Sequence, residues 1–588
     1  MSNLDVSASV ERWAEPFGRL SKGSITQLDL VAKNEDIAVG EILLIPSLRG
    51  SRRVFLFKAM DVENVLRRVN DVGSVAGTLV VEGDSYLADL EQEKVLRVTG
   101  KLLGYVTREG AGGGWTFKRP RRLPEHLAVV YRIKPAESEP YIRRMLETQV
   151  SGEIFLGKLL AGDRVLDVDV YLPKNSIPIH MGIFGTTGCG KSNLVLVLLK
   201  SVIDHNFRVW LRGGSGRISM FAIDPHDEFA LGIRKHGIQD IVDVLPEEAR
   251  RDLVRDFYYL TPYRDAAAGR VKRFAQEIRI AYSEIMPVDI QSITEVSDQM
   301  MAYMNALEAV HHGEWISQAG VDDLGFPQTT IAAVQRRLEF VRRSHIFVEE
   351  TARSTLPKII EALEEGRVIV FNTSLLSELE QFLSVTVIAR TLFELRKALK
   401  SSTSWEEFEE QVRRRRLPSE FVERFTPQYA KRFYIECENR VKDPGSLPPV
   451  LLTIEEAPSI LTPRMMRFDN VYKDIARQGR KFGIGLAVIS QQITVLDNVI
   501  LSQLNTQINM SLGNDHEINA AVRNACRDIS GFENEFRVLE RGEAIVTASY
   551  RPLPLTVKVP LFDEAFKRDK EWYMQELKGR SRREEVEL

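Results

Sequence analysis

The chain has 588 residues, 44% of them hydrophobic, and carries 79 Lys and Arg against 82 Asp and Glu for a formal net charge of −3. At roughly 100–200 residues per domain there is room for about three to five structural units. No apolar run reaches the ~18 residues that would signal a membrane helix. The opening Met1-Ser2-Asn3-Leu4-Asp5-Val6 lacks the basic-then-apolar pattern of a secretory signal, and Cys189, Cys437 and Cys526 form no metal-type pair, so a reduced cytoplasm is the expected setting. The small net charge neither points to nucleic acid nor excludes it, because cations are needed only where phosphates pass.

Residues 1 to about 135 read as β-rich. The runs Ile25–Val31, Glu41–Ile45, Val54–Phe57, Val95–Val98, Leu102–Val106 and Leu127–Ile133 are apolar and β-branched, and Gly, Pro and Asn separate them, which predicts a small sandwich or barrel. Gly110-Ala111-Gly112-Gly113-Gly114 reads as a hairpin tip. From about 150 the rhythm becomes strand, loop, helix: Ile179–Phe184, a Gly-rich loop, a helix over Ser192–Asp204, then the strand Ile218–Ile223 ending at Asp224. Residues 240 to about 365 mix charged and apolar residues at helical spacing, with Met300, Met301, Met304 and Leu307 on one face as core packing. Val368–Phe371, Val450–Ile454, Ile484–Ser490 and Gln507–Leu512 read as further strands, with helices at Val385–Leu399 and about Arg464–Gln478, a charged helical stretch over 404–445 and a β-rich end at Ala544–Val559. The last 25 or so residues read as a charged helical arm.

The strongest motif is Gly185-Thr186-Thr187-Gly188-Cys189-Gly190-Lys191-Ser192, which fits G-x-x-x-x-G-K-[ST] at every fixed position. In such a loop backbone N–H groups cradle the phosphates, assisted by the positive end of the following helix. The nucleotide contacts are assigned to Gly185, Gly188, Cys189, Gly190, Lys191, Ser192 and Asn193, with Lys191 on the β- and γ-phosphates and the Ser192 hydroxyl on Mg²⁺. Cys189 reads as a small residue tolerated in the loop, with a lowered thiol pKa in the loop's positive field as the alternative. The second motif is Leu451-Leu452-Thr453-Ile454-Glu455-Glu456, an apolar strand delivering two carboxylates; Glu455 is assigned to magnesium and Glu456 to the attacking water.

Other residues are read with their plainer alternatives. Asp224, in Asp224-Pro225-His226-Asp227-Glu228-Phe229, could join the metal shell or couple to DNA, or could simply close a turn. Arg480 is the candidate arginine reaching a neighbouring subunit's γ-phosphate, with Lys481 and Arg477 as rivals and helix C-terminal cations as the alternative. Gln491 is read as a γ-phosphate sensor or a strand terminator. Arg413–Arg416 reads as a solvated face, and His311-His312 has no partner at metal-ligand spacing.

Together these residues resemble HerA, the hexameric DNA-translocating ATPase family of archaea and bacteria, within the HerA–FtsK division of P-loop proteins. The resemblance covers nearly the whole chain. It takes in Ile154-Phe155-Leu156-Gly157, Val168-Asp169-Val170, His180, Asp224-Pro225-His226, Ile454-Glu455-Glu456-Ala457, Gly479-Arg480-Lys481-Phe482-Gly483 and Ile489-Ser490-Gln491. It implies an α/β fold with a RecA-like P-loop core and helical insertion, preceded by an N-terminal β-barrel. The implied division is barrel 1–150, core 151–245, helical-bundle insertion 246–365, core 366–560 and C-terminal arm 561–588, the arm bracing a neighbour. It further implies a homohexamer around double-stranded DNA, with ATP and Mg²⁺ as cofactors. No membrane association is expected. A separate effector is expected as partner, a NurA-like or other nuclease or a sirtuin-like NAD hydrolase, in DNA end processing or anti-phage defence. The alternatives are a hexameric scaffold for an effector, or a conjugation-type DNA pump. The chain departs from the family where many relatives have Asp at Glu455, a common Gly at Asp227 and a frequent Arg at Gln492. The segment 404–445 is poorly matched.

Overall fold

The computed structural model describes residues 10–25, 27–33, 36–47, 53–66, 94–108, 114–214, 216–255, 257–264, 269–402, 404–415, 417, 447–467, 469–567, 571–573 and 575–576. The expected hairpin tip at 110–114 and the stretch 404–445 lie largely outside them, apart from Gly114 and a helix Trp405–Arg414. The chain divides into two compact units, Met1–Leu172 with Gln507–Val559 and Pro173–Thr506 with Pro560–Leu588. Residues 151–172 and 507–559, expected in the ATPase core, therefore group with the N-terminal region.

The first unit opens with strands β1 (Ala14–Gly23), β2 (Leu28–Lys33), β3 (Ile42–Pro46), β4 (Arg53–Leu66), β5 (Lys94–Arg108), β6 (Trp115–Lys118) and β7 (Val129–Ile133). Their order is β2-β1-β7-β3-β4-β5-β6, and β5 pairs back to β2, so six strands close into a barrel with β6 added at one edge. Of the two readings left open by the spacing, the barrel is the observed one. Alternation drives it: Leu28, Leu30 and Ala32 are buried with Leu43, Ile45, Phe55, Phe57 and Val98, while Asp29 and Val31 between them are only partly covered. The unit is completed by β8 (Ile154–Ala161) and β9 (Arg164–Leu172) and, later in the chain, by three strands introduced below.

The second unit holds β10 (Met181–Phe184), β11 (Ser219–Asp224), β12 (Tyr259–Thr261), β13 (Ala275–Glu277), the small pair β14 (Ile280–Ala281) and β15 (Phe347–Val348), then β16 (Val368–Asn372), β17 (Val450–Ile454) and β18 (Ile484–Ser490). The first unit then regains β19 (Thr506–Asn509), β20 (Glu543–Ala548) and β21 (Arg551–Lys558), in the order β19-β20-β21-β8-β9. In the second unit the order is β13-β12-β16-β11-β17-β18-β10, and the recorded pairings among these strands are parallel. Six strands of this sheet, β10, β11, β12, β16, β17 and β18, are buried at every residue, which suits a parallel sheet covered on both faces.

Four elements differ from expectation. Residues 246–365 are not wholly a helical insertion: β12 and β13 extend the core sheet, because Tyr259, Leu260 and Thr261 form a short buried run against Val370 and Phe371. The helices Asp298–His311 and Gln328–Arg343 do form, and Met300, Met304 and Leu307 are buried. The helix expected from Arg464 begins at Val471, after a short turn Met465–Arg467, because Asn470 caps it by accepting from the Tyr472 N–H at 2.9 Å. The helix expected over 385–399 starts earlier, at Glu378, where Ser377 and Glu380 form a capping box. The C-terminal arm, through its described residues, packs on its own unit rather than projecting: Tyr573 is fully buried and donates to Asp204.

One polar contact inside the first unit is costly to disturb. Lys58 of β4 is buried and pairs with Glu535 at 2.7 Å, while the Thr556 hydroxyl accepts from Lys58 and donates to Glu535. Burial lowers the Lys58 pKa, with Glu535 opposing the shift. Glu535→Ala should cost about 3–5 kcal/mol in chemical denaturation, because it strands a buried cation. The double change Lys58→Met with Glu535→Leu should recover most of that loss; an equal loss in both variants would reject the account.

Candidate nucleotide site

The site is built at the carboxyl edge of the second unit's sheet, where register decides which side chains meet. Phe184 pairs with Ser490 and Ile454 with Val488, so the Gly-rich loop follows β10 beside Gln491, with Glu455 one strand further. Phe221 pairs with Leu452; three residues on, the same register sets Asp224 beside Glu455. Loop, Gln491, the Glu pair and Asp224 thus stand in a row along four neighbouring strand ends.

The loop turns on Gly188 at φ 80° and Gly190 at φ 114°. A Cβ at Gly188 would meet nothing within 4 Å, so backbone conformation and not space calls for glycine there. Gly190 is the N-cap of the helix Lys191–Leu211, which is longer than the expected Ser192–Asp204. Among the described residues the N–H groups of Gly188, Gly190, Lys191 and Ser192 bond to no protein acceptor. The Lys191 ammonium donates to the carbonyls of Gly185 at 2.7 Å and Thr186 at 2.9 Å, which holds it over the loop. Cys189 is buried. The Thr187 hydroxyl donates to the Gln491 side-chain oxygen at 2.8 Å, a direct tie between the loop and the end of β18. Sequence reasoning missed Thr187 because it occupies an unconstrained position of the motif.

The adjoining corner is acidic. Burial, then Asp224 and Glu456, push the Glu455 carboxyl up to about 8, while Lys191 pulls it down and Glu228 adds to the rise. Burial pushes Asp224 up to about 6, against the N–H groups of Phe229 and Glu228 that donate to it at 2.7 and 3.0 Å. Asp224 therefore closes its own turn, the plainer of its two readings, while its charge still bears on Glu455. Glu456 is exposed and holds φ 50°, and Asp227 holds φ 54°; both are conformations that cost a non-glycine residue about 1–2 kcal/mol. Such strain gathers at functional sites. Asp227 accepts from the Tyr259 hydroxyl at 2.6 Å, which in turn accepts from the Asn372 amide at 2.6 Å. Neither Tyr259 nor Asn372 has a sequence signal, since only the β11–β16–β12 pairing brings them to the loop.

The donor set fits a magnesium nucleotide. Free backbone N–H groups and a lysine suit phosphates, and a hydroxyl beside crowded carboxylates suits a hard cation that keeps most of its ligands as water and phosphate. Among the described residues no group of three or more His, Cys, Asp and Glu could hold a metal by itself.

Two predicted residues stand elsewhere. Asn193, assigned to the nucleotide, has its amide bonded to the backbone of Pro560 and Phe562 instead. Arg480 lies before β18, whereas the loop meets the far end of that seven-residue strand, about 20 Å away at ~3.3 Å per residue. Arg477, Arg480 and Lys481 are all exposed, and among the described residues the Arg480 side chain forms no ion pair or hydrogen bond. Its turn, Gly479–Phe482, is nevertheless fixed. Arg396 donates to the Phe482 carbonyl at 2.8 Å, and Lys400 to the Lys481 carbonyl at 3.1 Å. His180, buried at φ 61°, accepts at Nδ1 from the Leu486 N–H at 3.1 Å and hydrogen-bonds the Ala476 backbone.

The discounted features keep ordinary partners. His311 pairs with Asp322 at 2.9 Å; Arg413, Arg414 and Arg415 pair with Glu409, Glu410 and Glu394, the first two well exposed. Arg416 lies outside the described residues.

A Gly-rich loop between β10 and its helix, with a strand inserted before the carboxylate-bearing strand of a parallel sheet, defines a P-loop ATPase with a RecA-like core. Residues 154–392 match the family described as the central domain of the helicase HerA. The DNA double-strand break repair helicase HerA of Pyrococcus furiosus is 24% identical over 90% of this chain and 89% of its own length. That of Saccharolobus solfataricus is 22% identical over 70% of this chain and 69% of its own. Among solved structures, VirB4 of Thermoanaerobacter pseudethanolicus is similar at 13% identity and a TM-score of 0.38, over 70% of this chain and 97% of that one. Over most of its length the chain is therefore similar to the HerA helicases, as the sequence resemblance implies. Among the described residues no helix is long and apolar enough to cross a membrane.

His180 makes the site's support sensitive to acid. Burial lowers its pKa to about 4 from 6.5, so the unfolded chain takes up a proton that the folded chain refuses between those values. The contribution is fully present above pH 6.5 and is lost as pH falls toward 4, on the order of 3 kcal/mol in all. In denaturation experiments across that range, the stability advantage of the wild type over His180→Asn should shrink with acidification. Parallel profiles would remove His180 as the cause.

Proposed function

We propose that this chain is a Mg²⁺-dependent ATPase that assembles as a homohexamer, translocates double-stranded DNA and powers or regulates a separate effector protein. The reading rests above all on one observation: the loop, Gln491 and the Glu455–Glu456 pair are set side by side by strand register, in a chain whose central domain is HerA-like. The HerA relatives of Pyrococcus furiosus and Saccharolobus solfataricus are DNA double-strand break repair helicases, which favours DNA as substrate and repair as a setting. A nuclease or a sirtuin-like NAD hydrolase, in end processing or in anti-phage defence, is the class of effector proposed.

In this reading the N–H groups of Gly188, Gly190, Lys191 and Ser192 bind the phosphates, those of Gly185 and Cys189 being held by the Ser490 and Thr186 carbonyls, and Lys191 exchanges its hold on the Gly185 and Thr186 carbonyls for the β- and γ-phosphates. Ser192 and Glu455 would hold Mg²⁺, which neutralises phosphate charge when bound. Glu456 orients the attacking water. Gln491, already bonded to Thr187, responds to the γ-phosphate end of the loop. The distance of Arg480 from its own loop, its exposure and its braced turn support action on the neighbouring subunit.

Lys191→Ala should abolish ATP turnover, and Glu456→Gln should bind ATP with near-normal affinity while losing about 100-fold or more in rate. Normal turnover in either variant would sink the assignment. Duplex DNA should raise the ATPase rate of the wild type, and the stimulation should weaken steeply with salt. A rate indifferent to DNA across a salt series would favour a hexameric scaffold over a motor. Mixed hexamers should localise the Arg480→Ala defect to interfaces whose arginine donor is the variant; a defect without that pattern points to Lys481 or Arg477.

A further inference from the structure

Both the nitrogen and the oxygen of the Asn193 side chain are engaged away from the loop. Its Nδ2 donates to the Pro560 carbonyl at 2.9 Å, and its Oδ1 accepts from the Phe562 N–H at 2.9 Å. Asn193 is the residue after Ser192, in the first turn of the loop helix. Pro560 is the first residue of this unit after the chain returns at Val559.

Beyond Pro560 the segment stays on the same body. Asp563 accepts from the His236 N–H at 3.0 Å, and the Phe566 ring lies 4.8 Å from that of His236. Further on, Tyr573 packs 5.1 Å from Phe207 and donates to Asp204, which also holds Lys200. Lys200, Asp204 and Phe207 all belong to the loop helix. The segment is therefore fastened to that helix twice, at its first turn and again more than two turns later.

We propose that Asn193 is a positioning residue that joins the first turn of the loop helix to the C-terminal segment, so that residues 560–567 are held differently with and without Mg·ATP. The proposal rests on the nucleotide-site reading above. A carbonyl and an N–H two residues apart need a donor and an acceptor on one short side chain; an amide has both, whereas a carboxylate has only acceptors. Ser192 and the N–H groups beside it are the atoms offered to phosphate and metal. A shift of that turn on nucleotide binding must carry Pro560 and Phe562 along or break both hydrogen bonds. Linkage is reciprocal, so a segment that senses the nucleotide also contributes to its affinity.

The test is hydrogen exchange on the full chain, read over residues 560–567, with and without Mg²⁺ and a non-hydrolysable ATP analogue, beside a binding titration of the same samples. In the wild type the nucleotide should slow exchange there several-fold. In Asn193→Ala exchange should be fast and indifferent to nucleotide, with affinity weakened on the order of ten-fold. Asn193→Asp, which keeps the acceptor for Phe562 and loses the donor to Pro560, should fall between, and it carries the test if the alanine variant does not fold. Unchanged exchange in a wild type that binds the analogue, or nucleotide-dependent protection surviving in Asn193→Ala, would overturn the proposal while leaving the P-loop reading standing. Failure of the wild type to bind the analogue at all would overturn both.

Discussion

The site depends on the shared register of β11, β17, β18 and β10. In a parallel sheet the strand ends lie on one edge, and a ligand site forms where loops leave that edge. Pairing Phe184 with Ser490, Val488 with Ile454 and Leu452 with Phe221 brings residues up to 306 apart in sequence into one row. A one-residue slip of β17 would turn Glu455 to the opposite face, since side chains alternate along a strand. Complete burial of β17 and β18 resists that slip, because both faces are packed.

Register alone crowds charges that repel. Asp224, Glu456 and Glu228 all bear on Glu455, and Lys191 is the cation that pulls it down. Part of the repulsion is relieved locally, since Asp224 is bonded into its own turn by the N–H groups of Glu228 and Phe229. What remains centres on Glu455, next to Ser192 in the proposed metal shell. The same corner that is electrostatically poor in the bare protein is suited to a divalent ion and a polyphosphate with its own counter-charge. Backbone strain at Asp227 and Glu456 is stored at the same edge.

The loop, the strand before it and the Glu pair were legible in the sequence because each is local: fixed glycines, a lysine and a serine in one stretch, and an apolar run ending in carboxylates. The barrel was half legible. Alternation in Leu28–Ala32 and its neighbours marks strands, but closure comes from β2 meeting β5 some 70 residues away, which no local pattern encodes. β12 and β13 were missed because each is only three residues long, and β13 buries only Ala275, so neither stands out from the helices around it. Asn193 was misplaced for a different reason. Its position beside Ser192 suggests the phosphates, and its true partners are backbone groups of Pro560 and Phe562, which carry no side-chain signature.

Arg480 shows how the insertion and the core are made one mechanical body. Arg390, on the helix Glu378–Ser401, is buried against Asp289 at 2.7 Å and the Glu284 carbonyl at 2.6 Å, both from the segment that opens the insertion. Ser292, at the end of the helix Pro287–Ile293, accepts from the Asn470 amide and the Val471 N–H at 3.3 Å each. Asn470 caps the helix Val471–Gln478, which leads directly into the Arg480 turn. Removing either member of the Arg390–Asp289 pair would strand a buried charge, so this joint is rigid. The same Glu378–Ser401 helix also holds the far side of the turn through Arg396. A displacement of the insertion is therefore delivered to the Arg480 turn through buried ionic and capping contacts. An exposed arginine with no side-chain partner among the described residues, on a turn so firmly braced, has its backbone set by the scaffold and its side chain left available to a neighbour.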